Sequence, residues 1–230
     1  GRFVTQTQSA STAGDFNGDQ TVNLDDFFLF VDAFGRPAAD VGAVFDLDRN
    51  GAVDLSDFFL FVDAFSTSAS GKRWVTEQES DPTTRFVLSA HGDTPGGEAA
   101  VDLHAERVTD LRAFGLVLRY DAMRVRFVGL EPGELLETGG AAPLLHILSE
   151  EPGQIVLGNG LAQGDRVTGS GRLARLRFDV GADRSSVTFT PLAYVLRSDG
   201  VPRAVESFAA ARLLPRAYQL GNNYPNPFNP

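Results

Sequence analysis

The stretch "DFNGDQTVNLDDFFLFVDAF", Asp15–Phe34, returns 31 positions later as "DLDRNGAVDLSDFFLFVDAF", Asp46–Phe65, and both copies end in the same nine residues. Each copy opens with a twelve-residue block that carries side-chain oxygens at positions 1, 3 and 5 and an acid at position 12. In the first block these are Asp15, Asn17, Asp19 and Asp26; in the second they are Asp46, Asp48, Asn50 and Asp57. Oxygens at alternate positions of a tight loop converge on one point, and the backbone carbonyl of position 7, Thr21 or Ala52, joins them. The acid at position 12 closes the shell from the following helix. Two sites for a hard cation, Ca²⁺, are therefore expected. Position 6 bends sharply and favours glycine. Gly51 stands there in the second loop and Gln20 in the first. That difference, with the extra anion of Asp54, predicts tighter binding by loop 2.

Asn23 and Asp54 are good helix N-caps, with acids in the first turn where the helix dipole favours them. On a helix, Phe27, Phe30, Val31 and Phe34 form one apolar stripe, and Phe58, Phe61, Val62 and Phe65 form its copy. The two stripes are expected to pack together into a small unit that needs metal because so small a core is marginal. Phe28, Leu29 and Ala33, with Phe59, Leu60 and Ala64, lie off the stripe. These helices are apolar nearly all round, which implies cover on a second side. Two covers are open: the connector from Gly35 to Phe45 with its flanking segments, or a partner.

Composition restricts the partner. The net charge of −10 argues against nucleic acid, whose phosphates need clustered Lys and Arg, and cysteine is absent, which removes disulfides and thiolate metal sites. No apolar run reaches the length of a membrane span. The histidines His91, His104 and His146 fall in separate segments, without H-E-x-x-H or G-x-S-x-G. No catalytic residue is assigned, and the chain is read as a non-enzyme.

Two loop-helix copies with Asp at position 12 and no helix before each loop resemble the dockerin family, over about residues 15–66. The resemblance implies an all-α module that binds a cohesin through helix faces related by pseudo-two-fold symmetry. Positions 10 and 11 of the loops contribute to recognition in that family. Here they are Leu24 and Asp25, Leu55 and Ser56, and with the off-stripe Phe28, Leu29, Phe59 and Leu60 they make the expected partner surface.

Residues 1–14 form an N-terminal extension, and residues 67–84 read as a polar, Ser/Thr-rich linker in which Trp74 tacks onto a neighbour. Beyond it the pattern turns to β: nine short runs, from "RFVLSA" to "AVESFAAARLL", separated mostly by Gly, Pro or Asp turns. With no helical period between them, they predict an all-β sandwich over residues 85–214. The segments "HGDTPGGEAAVDL", "AFGLVLRYDAMRVRFVGLEPGELL", "GQIVLGNG" and "GSGRLARLRFDV" resemble a cohesin, which implies a jelly roll that receives a dockerin. The tail, residues 215–230, includes "YQLGNNYPNPFNP", which resembles the opening of the C-terminal sorting module of type IX secretion. It implies a secreted or cell-surface parent protein.

These readings give a non-catalytic, calcium-dependent assembly protein. Its dockerin-like helices dock on a cohesin-like sheet of the same chain or of another, and the linker is long enough for either. The alternative is a carbohydrate-binding module with a calcium-stabilised spacer, against which stands a β region without Trp and with Tyr120 and Tyr194 as its tyrosines.

Overall fold

A computed structural model describes residues 12–67, 80–92, 97–137, 144–161, 165–180, 187–205, 207–209 and 211–213. Trp74, most of the span read as a linker, and the Pro/Asn-rich tail lie outside the described residues. Residues 12–67 give three helices, α1 (Leu24–Ala33), the single-turn α2 (Ala38–Val41) and α3 (Leu55–Thr67). The other described residues give ten strands and one short helix. These are β1 (Arg85–His91), β2 (Glu98–Arg119), β3 (Val125–Pro132), α4 (Glu134–Glu137), β4 (His146–Glu151) and β5 (Gln154–Gly160). After them come β6 (Val167–Val180), β7 (Val187–Arg197), β8 (Pro202–Val205), β9 (Ser207–Ala209) and β10 (Ala211–Leu213).

The organising element is β2. Its sequence reads as two strands, yet it runs unbroken and belongs to both layers. Glu98 to Leu111 pairs with β1 and β6, and Leu111 to Arg119 pairs with β5 and β7. The change of layer falls where the register with β6 shifts, at Ala105/Val108 and Val108/Leu111. Arg107 and Asp110 take positive φ there, 55° and 57°. Hydroxyls of β6 hold this bulged corner: the Arg107 N–H donates to Ser170 Oγ at 2.9 Å and the Asp110 N–H to Thr168 Oγ1 at 3.0 Å. Bulges of this kind bend a strand and increase its twist, so one long strand can serve two packed sheets.

One layer is β9-β1-β2-β6-β3; the other is β4-β5-β2-β7, with β8 and β10 on β7. Phe86, Leu103 and Phe178 of the first layer and Phe114, Leu116, Leu157 and Phe189 of the second share the core between them. The segment before β1 is fastened to the sandwich. Asp81, fully buried, accepts the N–H groups of Thr83 (2.9 Å) and Thr84 (3.0 Å) and both Nε–H (2.9 Å) and Nη2–H (2.6 Å) of Arg197. Its own N–H donates to the Ala204 carbonyl at 2.8 Å.

In the second layer the outward faces are apolar too. Ala113 and Val117 of β2, Val156 of β5, Leu148 of β4, and Tyr194 and Leu196 of β7 point away from the sandwich core, and all are buried. Strands buried on both faces read as continuous apolar runs. "AFGLVL" and "IVLG" are such runs, and what covers them is the helical module.

Candidate functional site

The site has two parts, a pair of acidic loops and a helix seated on a sheet. Each loop is wound around the carboxylate at position 12. Asp26, completely buried, accepts N–H groups from Phe16 (2.7 Å), Asn17 (3.2 Å) and Asn23 (3.0 Å). Asp57, equally buried, accepts from Leu47 (2.6 Å), Asp48 (3.0 Å) and Asp54 (2.9 Å), the equivalent positions of the second loop. Position 1 works the same way: Asp15 accepts from Gly18, Asp19 and Gln20, and Asp46 from Asn50 and Gly51. The repeat in sequence is thus a repeat in hydrogen bonding. Asn23 caps α1 as the spacing predicts, its Oδ1 accepting the Asp25 N–H at 2.6 Å while Asp26 reaches back to the Asn23 N–H.

The donor set suits a hard cation. Asp46, Asp48 and Asp57 bring carboxylate oxygens within 4.8 Å of one another. Among the described residues no Lys, Arg or His pairs with Asp26 or Asp57. Burial pushes Asp26 up to about 6, despite the N–H groups of Asn23, Phe16 and Asn17 and with the Asp15 carboxylate adding to the rise. A buried carboxylate beside another, without a cationic partner, is an arrangement that a divalent ion stabilises. Asn17, Asp19 and the Thr21 carbonyl position complete the first loop, and Asn50 and the Ala52 position complete the second. At position 9 the loops differ. Both residues cap the following helix, Asn23 accepting the Asp25 N–H at 2.6 Å and Asp54 the Ser56 N–H at 2.8 Å, but Asp54 also accepts from Asn50 Nδ2 at 3.2 Å and so is tied into its loop.

One sequence expectation about strain needs correction. Gln20 does take a left-handed φ, 70°, but loop 2 carries an equal burden two residues earlier, at Arg49, φ 63°. Both loops need positive φ at positions 4 and 6. Loop 1 supplies Gly18 and Gln20, loop 2 Arg49 and Gly51. Each has one glycine and one strained residue, so backbone strain does not separate them.

The apolar stripes meet in part: Phe30 faces α3 as expected, whereas Val31 lies over Gly160 of the sheet and Phe27 reaches both Phe61 and Gly158. Phe30 and Phe61 stack with centroids 5.6 Å apart and planes 6° from parallel. Phe16, which the sequence pattern did not single out, closes the end of this cluster against Phe30 (5.9 Å), Phe61 (5.5 Å) and Phe45 (4.7 Å). The flanking segment covers part of the off-stripe surface, where a Cβ at Gly14 would stand 3.2 Å from Ala64 Cβ. The connector pairs with loop 2, through a bridge between Pro37 and Ala52 and the hydrogen bonds of Gly35 and Val53.

The cover of α1 is the sandwich. Leu24, Phe27, Phe28, Val31 and Ala33 of α1 share one buried cluster with Ala113, Val117, Leu148, Val156, Tyr194 and Leu196. The sheet makes room by carrying no side chain at three points beneath the helix. Gly115 lies under Leu24, Gly158 under Phe27 and Gly160 under Val31. At the C-terminal end of α1, Arg112 Nη1 donates to Asp32 Oδ1 at 2.6 Å. Burial, with the nearby Asp25 carboxylate, raises the Tyr194 phenol above its usual range. From α3, Phe58 and Phe59 present ring edges to His146 of β4 at 5.7 and 6.0 Å, and burial holds that imidazole below its ordinary pKa.

The expected partner surface is therefore divided. Leu24 and Phe28 are 1% and 2% exposed, while their repeat equivalents Leu55 and Phe59 are 51% and 55% exposed. Asp25 is half-buried near Tyr194. Leu29, Ser56 and Leu60 face solvent. On the receiving side, Arg112, Gly115, His146, Gly158, Gly160 and Tyr194 were not singled out from sequence. Their signal was present: glycines inside strands, where they mark a close approach, and apolar residues on both faces of β2 and β5.

No protein-family model matches the chain, and no curated protein matches its sequence. Among solved structures it is similar to a non-cellulosomal cohesin from the hyperthermophilic archaeon Archaeoglobus fulgidus, at 19% identity over 60% of this chain and 94% of that one, TM-score 0.47. The second type II cohesin module of the adaptor scaffoldin of Acetivibrio cellulolyticus matches at 12% identity over 59% and 99%, TM-score 0.48. A type I cohesin-dockerin complex from Clostridium thermocellum matches at 14% identity over 56% and 96%, TM-score 0.47.

Proposed function

We propose that the chain is a non-catalytic, calcium-dependent assembly protein of the secreted or cell-surface type. Its dockerin-like loop-helix pair acts as the plug and its cohesin-like sheet as the socket. The observation that carries this reading is the seat itself. An unbroken apolar ridge of α1 fills glycine-floored space on a sheet whose outer face would otherwise present Ala113, Val117, Val156, Tyr194 and Leu196 to water. A contiguous apolar patch of that kind marks an interaction surface.

Calcium enters through the loops. Filling both shells neutralises Asp26 and Asp57 at the first turns of α1 and α3, and so fixes the helices that the sheet receives. No helix among the described residues is long and apolar enough to cross a membrane. An extracellular setting would supply calcium at concentrations that fill modest sites.

Small-angle scattering and light scattering in calcium and in chelator test this reading. A compact monomer in calcium that expands when the metal is removed is the expected result. Mass that grows with protein concentration would move the contact between chains. Identical profiles with and without calcium would sink the calcium dependence.

A further inference from the structure

Three glycines floor the seat of α1: at Gly115 and Gly160 the nearest atoms a side chain would meet belong to the helix, and at Gly158 they belong to the helix and to Leu148 of β4. Gly115 of β2 and Gly158 of β5 are register partners, and Gly160 lies beside Ala113 two pairs along. A Cβ at Gly115 would stand 2.3 Å from Leu24 Cδ1, and one at Gly160 2.6 Å from Val31 Cγ2. At Gly158 it would stand 2.7 Å from Phe27 Cζ. None of the three has a positive φ, so their backbone accepts any L residue, and in a strand a β-branched one would be preferred. Their conformation does not require glycine. Space does.

We infer that Gly115, Gly158 and Gly160, with Arg112, are the specificity determinants of the sheet. Together they select a helix of the form Leu-x-x-Phe-x-x-x-Val-Asp. This inference rests on reading the seat of α1 as a functional docking surface and states what that surface recognises. Leu24, Phe27 and Val31 recur at i, i+3 and i+7, which is one ridge of the helix. That ridge sinks into the level at which side chains of β2 and β5 would begin, so a helix without bulk at these places leaves voids. Any added carbon on the sheet excludes the native ridge. Arg112 reads direction, because it meets Asp32 at the far end of the ridge and a helix laid the other way would not bring an acid there. The fitting partner is a helix of this chain's own repeat sequence: α1 occupies the seat, and Leu55, Phe58, Val62 and Asp63 repeat the pattern in α3.

The test is a size swap across the contact in the full chain, with calcium present. Gly160→Ala adds one carbon against Val31. Val31→Ala removes the two methyls that it meets and leaves the nearest remaining atom, Val31 Cβ, at 3.4 Å. Gly160→Ala alone should raise amide hydrogen exchange of α1 on the order of tenfold to hundredfold, as overpacking does, and enlarge the radius of gyration. Exchange in β3 and β6 should rise far less than in α1, which separates opening from misfolding. The double variant, Gly160→Ala with Val31→Ala, should close again and protect α1. Gly115→Ala provides an independent second case against Leu24. Protection of α1 retained in both glycine variants, or a double variant as open as Gly160→Ala, would overturn the inference. An unsubstituted chain that is already extended in calcium would instead sink the docking reading beneath it. A compact unsubstituted chain with a compact Gly160→Ala variant would sink the glycine inference alone.

Discussion

Asp26 and Asp57 are acids placed where an apolar residue would otherwise be expected, fully buried at the first turns of α1 and α3 and each holding three backbone N–H groups. What they hold is the whole loop, so the loops are pre-shaped by hydrogen bonds for the cation proposed above. Strain then decides little between them. Because Gln20 and Arg49 share the left-handed penalty, roughly 1 kcal/mol or somewhat more each, Gln20→Gly and Arg49→Gly should each tighten calcium binding at their own loop, by about tenfold. The remaining difference is Asp54. Calorimetry should find loop 2 the tighter site, and Asp54→Asn should bring it to the level of loop 1. Tighter binding by loop 1 in the unsubstituted chain would contradict this.

A second acid serves the sandwich alone. Burial pushes the Asp81 carboxyl upward, but the N–H groups of Thr84 and Thr83, the Thr83 hydroxyl and the Arg197 guanidinium outweigh it and hold the group at about 2. A carboxylate with its folded pKa below the unfolded value near 3.8 contributes stability that is complete above that value and is lost as pH falls toward 2. Acid melts should therefore steepen between about pH 4 and 2. Asp81→Asn should flatten that limb and destabilise the chain at pH 7 by on the order of 3 kcal/mol, since it leaves Arg197 buried with a weakened partner. An acid limb unchanged in Asp81→Asn would show that other carboxylates control it.

At the scale of elements, one nonapeptide has two fates. In α1 it is covered on both sides, by α3 and by the sheet; in α3 it is covered by α1 and, at one edge, by His146 of β4, while Phe59 and Leu60 stay exposed. Helical periodicity showed the shared stripe because Phe30 and Phe61 face each other in the repeat itself. It also showed the excess of apolar surface, since Phe28 and Leu29 fall outside any single stripe. It did not show which copy docks, because none of the nine shared residues carries a difference to read until a third element is present. The receiving sheet was legible only as strands. "AFGLVL" and "IVLGNG" alternate poorly because both faces are buried, and periodicity was used to find strands rather than to ask what covers them. The layer change inside β2 left a polar break, Glu106 to Asp110, that reads as a turn between two strands; the bulges that carry the chain through it depend on Ser170 and Thr168, about sixty residues away in sequence. The same packing logic yields a test. Phe30→Ala removes a ring that stacks on Phe61 and touches Phe16, Phe34 and Phe58. It should cost about 3 to 5 kcal/mol and weaken calcium binding at both loops together, because each loop ends in a helix of that pair. A loss confined to the first loop would mean that the helices do not couple the sites.

For the molecule as a whole, the consequence of the seat is cooperativity. The cluster that joins helices and sheet contains Leu24, Phe27 and Val31 from one module and Val117, Val156 and Leu196 from the other, all essentially buried. Neither module can unfold in place without exposing part of the other. If the loops hold calcium as proposed, its removal acts on one module only, by restoring repulsion between Asp26 and Asp15 and their counterparts, and so weakens the helices before it touches the sandwich core around Phe114 and Phe178. Calorimetry in calcium should accordingly show one transition for the whole chain, with the calorimetric and van't Hoff enthalpies equal. In chelator the helical module should melt first. The sandwich should follow in a separate transition at a lower temperature than in calcium, because the outer face of β2, β5 and β7 has lost its cover. Adding Gly160→Ala in calcium should produce the same two transitions with the loops still filled, which would place the coupling in the seat rather than in the metal. A single transition that persists in chelator, or a sandwich whose melting ignores the loss of the helices, would show that the two modules are stable independently of their contact.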